Sequence, residues 1–497
     1  MKRGKFSLSY TKLLSCDMGE LIPIGWHEAL PGDTIQQSTA ALVRCAPLLS
    51  PVMHPVEVRF HHWFVPNRLL WTDFQNFITG GPDGLDATVH PTITLASVAT
   101  GSLADYLGVP ISAGAISVSA LPFRAYAAIF NENYRDQDLV TLAGLSLADG
   151  VDATTSTALK NIAWEKDGYT SARPWEQKGP AVTIPLTGNA PVKGIGMTGN
   201  AAFVAGNTFR ETTPLPNRVY AQASQQYSTT GIMVETDTNV AGTAKPLVFA
   251  NLSGISAVTV NALREALALQ RYEEARARFG SRYTEYLLYL GVKSSDARLQ
   301  RPEYLGGGRQ TIQFSEVVAT AETGATVDVG DMKGHGIAAM KSNRYRRYFE
   351  EHGIVMTMMS VRPKTMYMQG LDRKFNRRTK EDYWQKELQH IGQDNILNKE
   401  VYAAHATPDG TFGWQDRYDE YRKSESNVAG EFRTTALNYW HLARDFSSDP
   451  ALNSTFVTST PTKRVFAAPS ADCLYVMAKH SIQARRLVAQ TGASFIY

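Results

Sequence analysis

The chain has 497 residues, 43% hydrophobic and 20% charged, and a net charge of +3. That composition excludes an intrinsically disordered chain and supplies enough residues for one very large domain or a few ordinary ones. A balance so near neutral excludes a whole-molecule basic field, so any contact with nucleic acid must come from local clusters.

The first twelve residues carry Lys2, Arg3, Lys5 and Lys12, and no acid precedes Asp17. They read either as an arm that lies on nucleic acid or as a solvated terminus. The start has positive charge but no apolar core after it, and no apolar run reaches membrane-spanning length. This reads as a soluble protein made in the cytoplasm. Cys16, Cys45 and Cys473 are too few and too scattered for a disulfide framework or a zinc site, and read as free thiols in a reducing compartment. Residues 18–51 are rich in turn formers and read as an extended surface arm.

Residues 54–71, HPVEVRFHHWFVPNRLLW, contain a long strand. Val56, Val58 and Phe60 alternate with Glu57 and Arg59, which is the pattern of a strand with one buried face. His61-His62 breaks the alternation, which predicts a β-bulge, and Pro66 ends the pairing. A matching partner lies far away at 353–362, GIVMTMMSVR. Pairing across that separation points to a sandwich or jelly roll, not to βαβ units.

Residues 71–78 predict a short helix stopped by Gly80 and Gly81. Phe123, Tyr126, Ile129, Phe130 and Tyr134 predict a helix with an aromatic core stripe. Residues 150–252 are dominated by Thr, Ala, Gly, Asn, Ser and Pro, and read as a surface insertion. A helix follows over 259–279, with Ala268, Tyr272, Ala275 and Phe279 on one face and Gly280 as its C-terminal cap. Gly306–Gly308 reads as a turn or a close backbone approach.

Basic text surrounds the second strand. Lys341, Arg344, Arg346 and Arg347 stand around Tyr345 and Tyr348. Arg373, Lys374, Arg377 and Arg378 follow with Phe375. Cations interleaved with aromatics suit single-stranded nucleic acid, but a solvated face or an intersubunit ion-pair surface fits them equally. Beyond Asp472 there is no acid, while Lys479, Arg485 and Arg486 remain.

Motifs for catalysis are missing. Gly194, Gly196 and Gly199 match G-x-G-x-x-G, but no helix pattern follows them as a dinucleotide site requires. His61 and His62 are strand neighbours and point to opposite faces, so they do not make a metal site. The expected catalytic, cofactor and metal residues are therefore none.

Several long blocks resemble one family. They include PVEVRFHHWFVPNRLLW, LPFRAYAAIFNENYRDQDL, LQRPEYLGGGRQTI, FGWQDRYDEYR and FRTTALNYWHLARDFSSDPALNSTFV. Each is similar to segments of the major capsid proteins of microviruses, the small tailless single-stranded-DNA bacteriophages, with the gokushovirus-like branch the nearer match. The resemblance implies a mainly β fold: an eight-stranded antiparallel jelly roll with long loop insertions and a few helices. It implies residues 1–52 as a partly interior arm, 53–149 and 256–497 as the two parts of the jelly roll, and 150–255 as a variable surface insertion, a candidate threefold protrusion. It also implies a T=1 icosahedral virion shell assembled in the bacterial host cytoplasm. The partners would be further copies of the chain, genomic single-stranded DNA, a small basic DNA-binding protein with other minor virion proteins, and a host surface receptor. Two other readings of the residues remain open: a glycoside-processing enzyme on a β-sandwich, with a carboxylate pair in a cleft, and a monomeric sheet-based binding module.

Overall fold

The computed structural model describes residues 3–112, 114–180, 182, 192–193, 236–237, 245–246, 249–250, 260–279, 282–293, 295–296, 300–320 and 329–489. Lys2, Gly280 and the glycines at 194–199 lie outside the described residues. The chain divides into one unit of Met1–Lys178 with Glu273–Tyr497 and a second unit of Gly179–Tyr272.

The first unit is built on two antiparallel sheets. The larger has seven strands: β1 (Gly4–Ser7), β2 (Tyr10–Cys16), β4 (Thr34–Cys45), β13 (Gln313–Val318), β14 (Met332–Lys341), β15 (Tyr345–Tyr348) and β19 (Leu474–Arg486). The smaller has four, in the order β12 (Glu303–Thr311), β5 (Val56–Pro66), β16 (Gly353–Pro363) and β3 (Leu21–Ala29). The run β19-β4-β14-β13 and the four-stranded sheet make the jelly roll. Strands β1, β2 and β15 extend its larger face. The segment read as a surface arm is thus structural: β4 lies inside the larger sheet between β19 and β14, β3 pairs with β16 at the edge of the smaller one, and β1 and β2 pair with β19.

Strand β5 pairs with β16 without a register break, from Val56↔Pro363 to Pro66↔Gly353. The expected bulge at His61-His62 is therefore not in β5. The extra residue, Leu305, belongs to β12, between Tyr304↔Trp63 and Gly306↔His62. The alternation only looked broken. Phe60, His62 and Phe64 face the larger sheet, while Trp63 and Val65 are buried on the other side under α3 (Leu121–Asn133). Beyond His61 both faces are covered, so both carry large apolar groups. Tight backbone approach at the glycines holds: a Cβ on Gly307 would sit 2.2 Å from the Phe60 carbonyl oxygen.

The aromatic stripe of α3 is core, with Phe123, Tyr126, Ile129 and Phe130 buried. Helix α1 (Phe74–Thr79) ends at Gly80 in the left-handed conformation, as expected. Residues 151–178, read as insertion, belong to the first unit: Ile162, Trp164 and Tyr169 are buried there, and bridges join Asn161 to Glu20 and Ala163 to Thr458. In the second unit the described pieces are β8 (Val192–Lys193) paired with β11 (Phe249–Ala250), and β9 (Thr236–Asp237) paired with β10 (Lys245–Pro246). Helix α4 (Val260–Phe279) begins in that unit. Its predicted stripe is not a buried one, since Tyr272 is 46% exposed.

The core sits between the sheets. Val58, Phe60, Met359 and Val361 from one meet Val43, Met340, Leu474 and Val476 from the other. A polar layer crosses it. His62 hydrogen-bonds Thr357 Oγ1 and Ser342 Oγ, both at 2.9 Å; His480 reaches Thr39 Oγ1 at 2.9 Å and the Ile24 carbonyl at 3.1 Å. The smaller sheet is covered on both faces. The larger is covered on one, and its other face is a broad sheet surface left uncovered among the described residues.

Candidate nucleic-acid interface

The uncovered face follows from period-two alternation. In β19, Leu474, Val476, Ala478, His480, Ile482 and Ala484 point inward, so Tyr475, Met477, Lys479, Ser481 and Arg485 point out. Register then fixes their neighbours. Lys5 pairs with Arg485, and Arg485 with Thr34, which pairs with Tyr348. Arg346 pairs with Gln36, and Gln36 with Gln483. Lys479 pairs with Ala40, and Ala40 with Lys341. Neighbouring strands are about 4.8 Å apart, so these groups form one cationic surface.

Acids are nearly missing from it. Among the seven strands the one carboxylate is Glu316 in β13. Lys5, Arg44, Lys333, Lys341, Arg346, Lys479 and Arg485 are exposed and make no ion pair among the described residues. Arg344 donates to the Gln36 side-chain oxygen, and Arg3 lies over the Tyr348 ring at 5.1 Å. The same face carries an open apolar shelf of Leu13, Leu42, Tyr475 and Met477, with Arg44 at its edge.

The sequence candidates divide sharply. Arg3, Lys5, Arg344 and Arg346 join this face. Arg347 lies at its margin, paired with Glu303 at 2.8 Å. Lys12 is turned inward: its ammonium donates to the carbonyls of Tyr106 and Pro23, and desolvation draws it down to about 8. Arg486 is tied to buried Asp33 at 2.6 Å. Tyr345 is buried, with its hydroxyl donating to Gln37, so it offers no stacking surface.

Arg373, Lys374, Arg377 and Arg378 form a separate group in the loops after β16. Arg373 lies 3.6 Å from both Asp394 and Glu400, Lys374 pairs with Asp372 at 3.3 Å, and Arg377 pairs with Glu420 at 3.4 Å. Arg377 also stacks between Tyr383 and Tyr421. Arg378 donates to the carbonyls of Phe375 and Arg377. These cations are mostly engaged by internal partners.

That network includes the protein's acid-lined pocket, beside Tyr169, Glu400, Glu420 and Glu425. Burial raises Glu400 to about 7, and it accepts from the Leu397 N–H at 3.1 Å; Glu425 accepts from the Gly168 N–H at 2.7 Å. Their hydrogen bonds hold loops together, which is a structural use of the carboxylates. Among the described residues no cluster of His, Cys, Asp and Glu has a metal-holding arrangement. No described helix is long and apolar enough to cross a membrane.

Sequence reasoning missed Arg44 and Lys333 as members of the face, and noted Lys341, Lys479 and Arg485 without bringing them together on it. The signal lay in the acid-free C-terminal text, but only strand register brings it beside Lys5 and Arg346.

A family model described as "Capsid protein (F protein)" matches residues 1–495. The chain is 34% identical to "Capsid protein VP1" of Bdellovibrio phage phiMH2K, over 93% of this chain and 89% of that one. It is 32% identical to "Capsid protein VP1" of Chlamydia phage 1, over 94% and 91%. It is 28% identical to "Capsid protein VP1" of Spiroplasma virus 4, over 91% and 87%.

Proposed function

The chain belongs to the capsid protein (F protein) family and is a structural major capsid protein of the microvirus type, and on that premise we propose that sixty copies close a T=1 shell around circular single-stranded DNA, with the uncovered face of the seven-stranded sheet toward the genome. The observation that carries the orientation is the set of cations at Lys5, Arg44, Lys341, Arg346, Lys479 and Arg485, without an ion pair among the described residues, on a face with almost no acid. Cations hold phosphates and release counterions, while Tyr348, Tyr475 and the apolar shelf offer base-stacking surface. Neither kind of contact reads sequence, which suits a shell that must hold any part of its genome.

The same premise assigns the inserted unit, Gly179–Tyr272, to the outer surface and to attachment at a host receptor. A small basic DNA-binding protein and other minor virion proteins complete the partners, and assembly takes place in the host cytoplasm. The role is structural, without turnover. Arg373, Lys374 and Arg377 serve the loop network first and contribute to DNA contact second, because their charge is already offset, while Arg378, held by the carbonyls of Phe375 and Arg377, keeps its charge for the DNA. Lys2 is assigned to the genome side with Arg3, as part of the same chain end.

The test is assembly of the expressed chain with and without DNA, followed by sedimentation and electron microscopy. Closed particles of sixty subunits support the reading. A stable monomer or an open filament under all packaging conditions contradicts it.

A further inference from the structure

A second cationic cluster lies away from the uncovered sheet face. A cavity of about 340 Å3 sits beside the C-terminal end of α3 and the outward side of β5 and β16. Six cationic side chains reach its wall, against two carboxylates, Asp136 and Glu285. Three of the cations are offset: Arg59 by Glu57, Lys166 by Asp136, and Arg173 by Asp138. The other three, Arg135, Arg282 and Arg362, make no ion pair among the described residues.

Their hydrogen bonds leave donors over. Arg135 donates through Nη1 to the carbonyls of Gln137 at 3.0 Å and Val140 at 2.6 Å, while its Nε is buried without an acceptor. Arg282 donates through Nη2 to the carbonyls of Asn131 at 2.8 Å and Arg135 at 3.1 Å. Arg362 gives one bond, from Nη1 to the Ala163 carbonyl at 2.9 Å. Glu285 accepts through one oxygen, Oε2, from the Gln137 side chain and the Arg282 N–H at the start of α5 (Tyr283–Tyr289).

Like charges also face one another. Burial and the neighbouring Arg282 hold Arg135 below the usual arginine range, and burial with the neighbouring Arg59 does the same to Arg362. Carboxylates stand nearby, Glu132, Asp136 and Asp138 around Arg135 and Glu165 and Glu57 around Arg362, but none closes an ion pair with them among the described residues. Partly buried guanidiniums without a contacting carboxylate are costly. A planar fork of donors matches a tetrahedral oxyanion, bidentate and charge-assisted. Ser360 and Asn133 add polar groups to the wall. The volume lies at the small end of ligand pockets.

We propose that this cavity is an oxyanion site for a phosphate group, held by Arg135, Arg282 and Arg362. The phosphate can come from the free ion or from a phosphodiester of a nucleic-acid strand, and the chemistry of capture is the same. The site is independent of the sheet face assigned to the genome.

The test is thermal unfolding of the full-length protein in rising inorganic phosphate, with chloride adjusted to constant ionic strength. A ligand that binds the folded state raises the midpoint with concentration. Wild type should show a saturable rise. R135Q and R362Q should weaken phosphate at least tenfold, and R362K, which keeps charge but loses the fork, should fall between. Arg362 makes a single carbonyl bond, so R362Q carries the test if R135Q does not fold. A short oligo(dT) that displaces phosphate identifies the strand as the source, and failure to displace it identifies the free ion. A rise reproduced by chloride alone, or kept in full by R362Q, overturns the proposal.

Discussion

Acid should weaken this fold through the histidines between its sheets. His62 and His480 are fully buried, and each ring is held by hydroxyl or carbonyl partners. Desolvation pushes His62 down to about 3, helped by the neighbouring rings of His480, His27 and His61. Desolvation pushes His480 down to about 4, with Lys12 adding to it. A free histidine titrates near about 6.5. The unfolded chain therefore takes up protons first, and stability falls as pH drops below that value. At pH 5 each ring costs about 2 kcal/mol relative to pH 7, so the pair costs about 4 kcal/mol. Glu400 works the other way, because its raised pKa favours the folded state as pH falls. The assay is therefore a comparison: urea unfolding of the subunit at pH 7 and pH 5, for wild type and for H62Q. The loss between the two pH values should be about 2 kcal/mol smaller in the variant. An equal loss in both proteins would refute the assignment of His62 as a buried neutral base.

Other outcomes follow from the packing and the charge. Replacing Arg346, Lys479 and Arg485 with serine should leave shells able to form but lower their DNA content, and every phosphate that no longer meets a cation should reduce the salt slope of DNA binding by about 0.7; quantifying genomes per particle and titrating a single strand at several salt concentrations checks both. Arg124 and Asp152 form a fully buried pair at 2.8 Å, with the remaining guanidinium donors on the carbonyls of Leu70 and Ala148; D152A should cost about 3–5 kcal/mol by chemical denaturation, because it strands the arginine. G307A forces a Cβ to 2.2 Å from the Phe60 carbonyl and should cost at least about 1–3 kcal/mol, read as a lower unfolding midpoint. Limited proteolysis of intact particles should cut between residues 179 and 252 before it cuts the jelly roll.

Much of the sandwich was legible from local text. Period-two alternation at 56–60 and 353–362, the stop at Pro66 and the stripe of α3 each depend on residues next to one another in sequence. What failed needed knowledge of what covers each face. The doublet His61-His62 reads as a bulge only if one face is assumed exposed; with α3 above and the second sheet below, two polar rings can follow each other in an unbroken strand. Residues 18–51 read as an arm because their apolar groups are short and interrupted, yet β4 buries every second residue against the opposite sheet over much of its length. The candidate interface was half legible. Runs of cations are visible in sequence, but whether a cation is free depends on acids brought in from elsewhere. Asp394 and Glu400 meet Arg373 and Glu420 meets Arg377, whereas no carboxylate among the described residues pairs with Lys479 or Arg485. The family resemblance, resting on long ordered blocks, supplied the role that no single motif could.

The central claim is that the uncovered face of the seven-stranded sheet meets the genome. Ultraviolet cross-linking of intact, DNA-filled particles, followed by peptide mass spectrometry, measures that contact directly. The account predicts that DNA adducts concentrate on peptides containing Tyr348, Tyr475 and the neighbouring cations Arg346, Lys479 and Arg485. Adducts confined to the loops around Arg373–Asn376, or to the inserted unit, with that sheet unmodified, would contradict it.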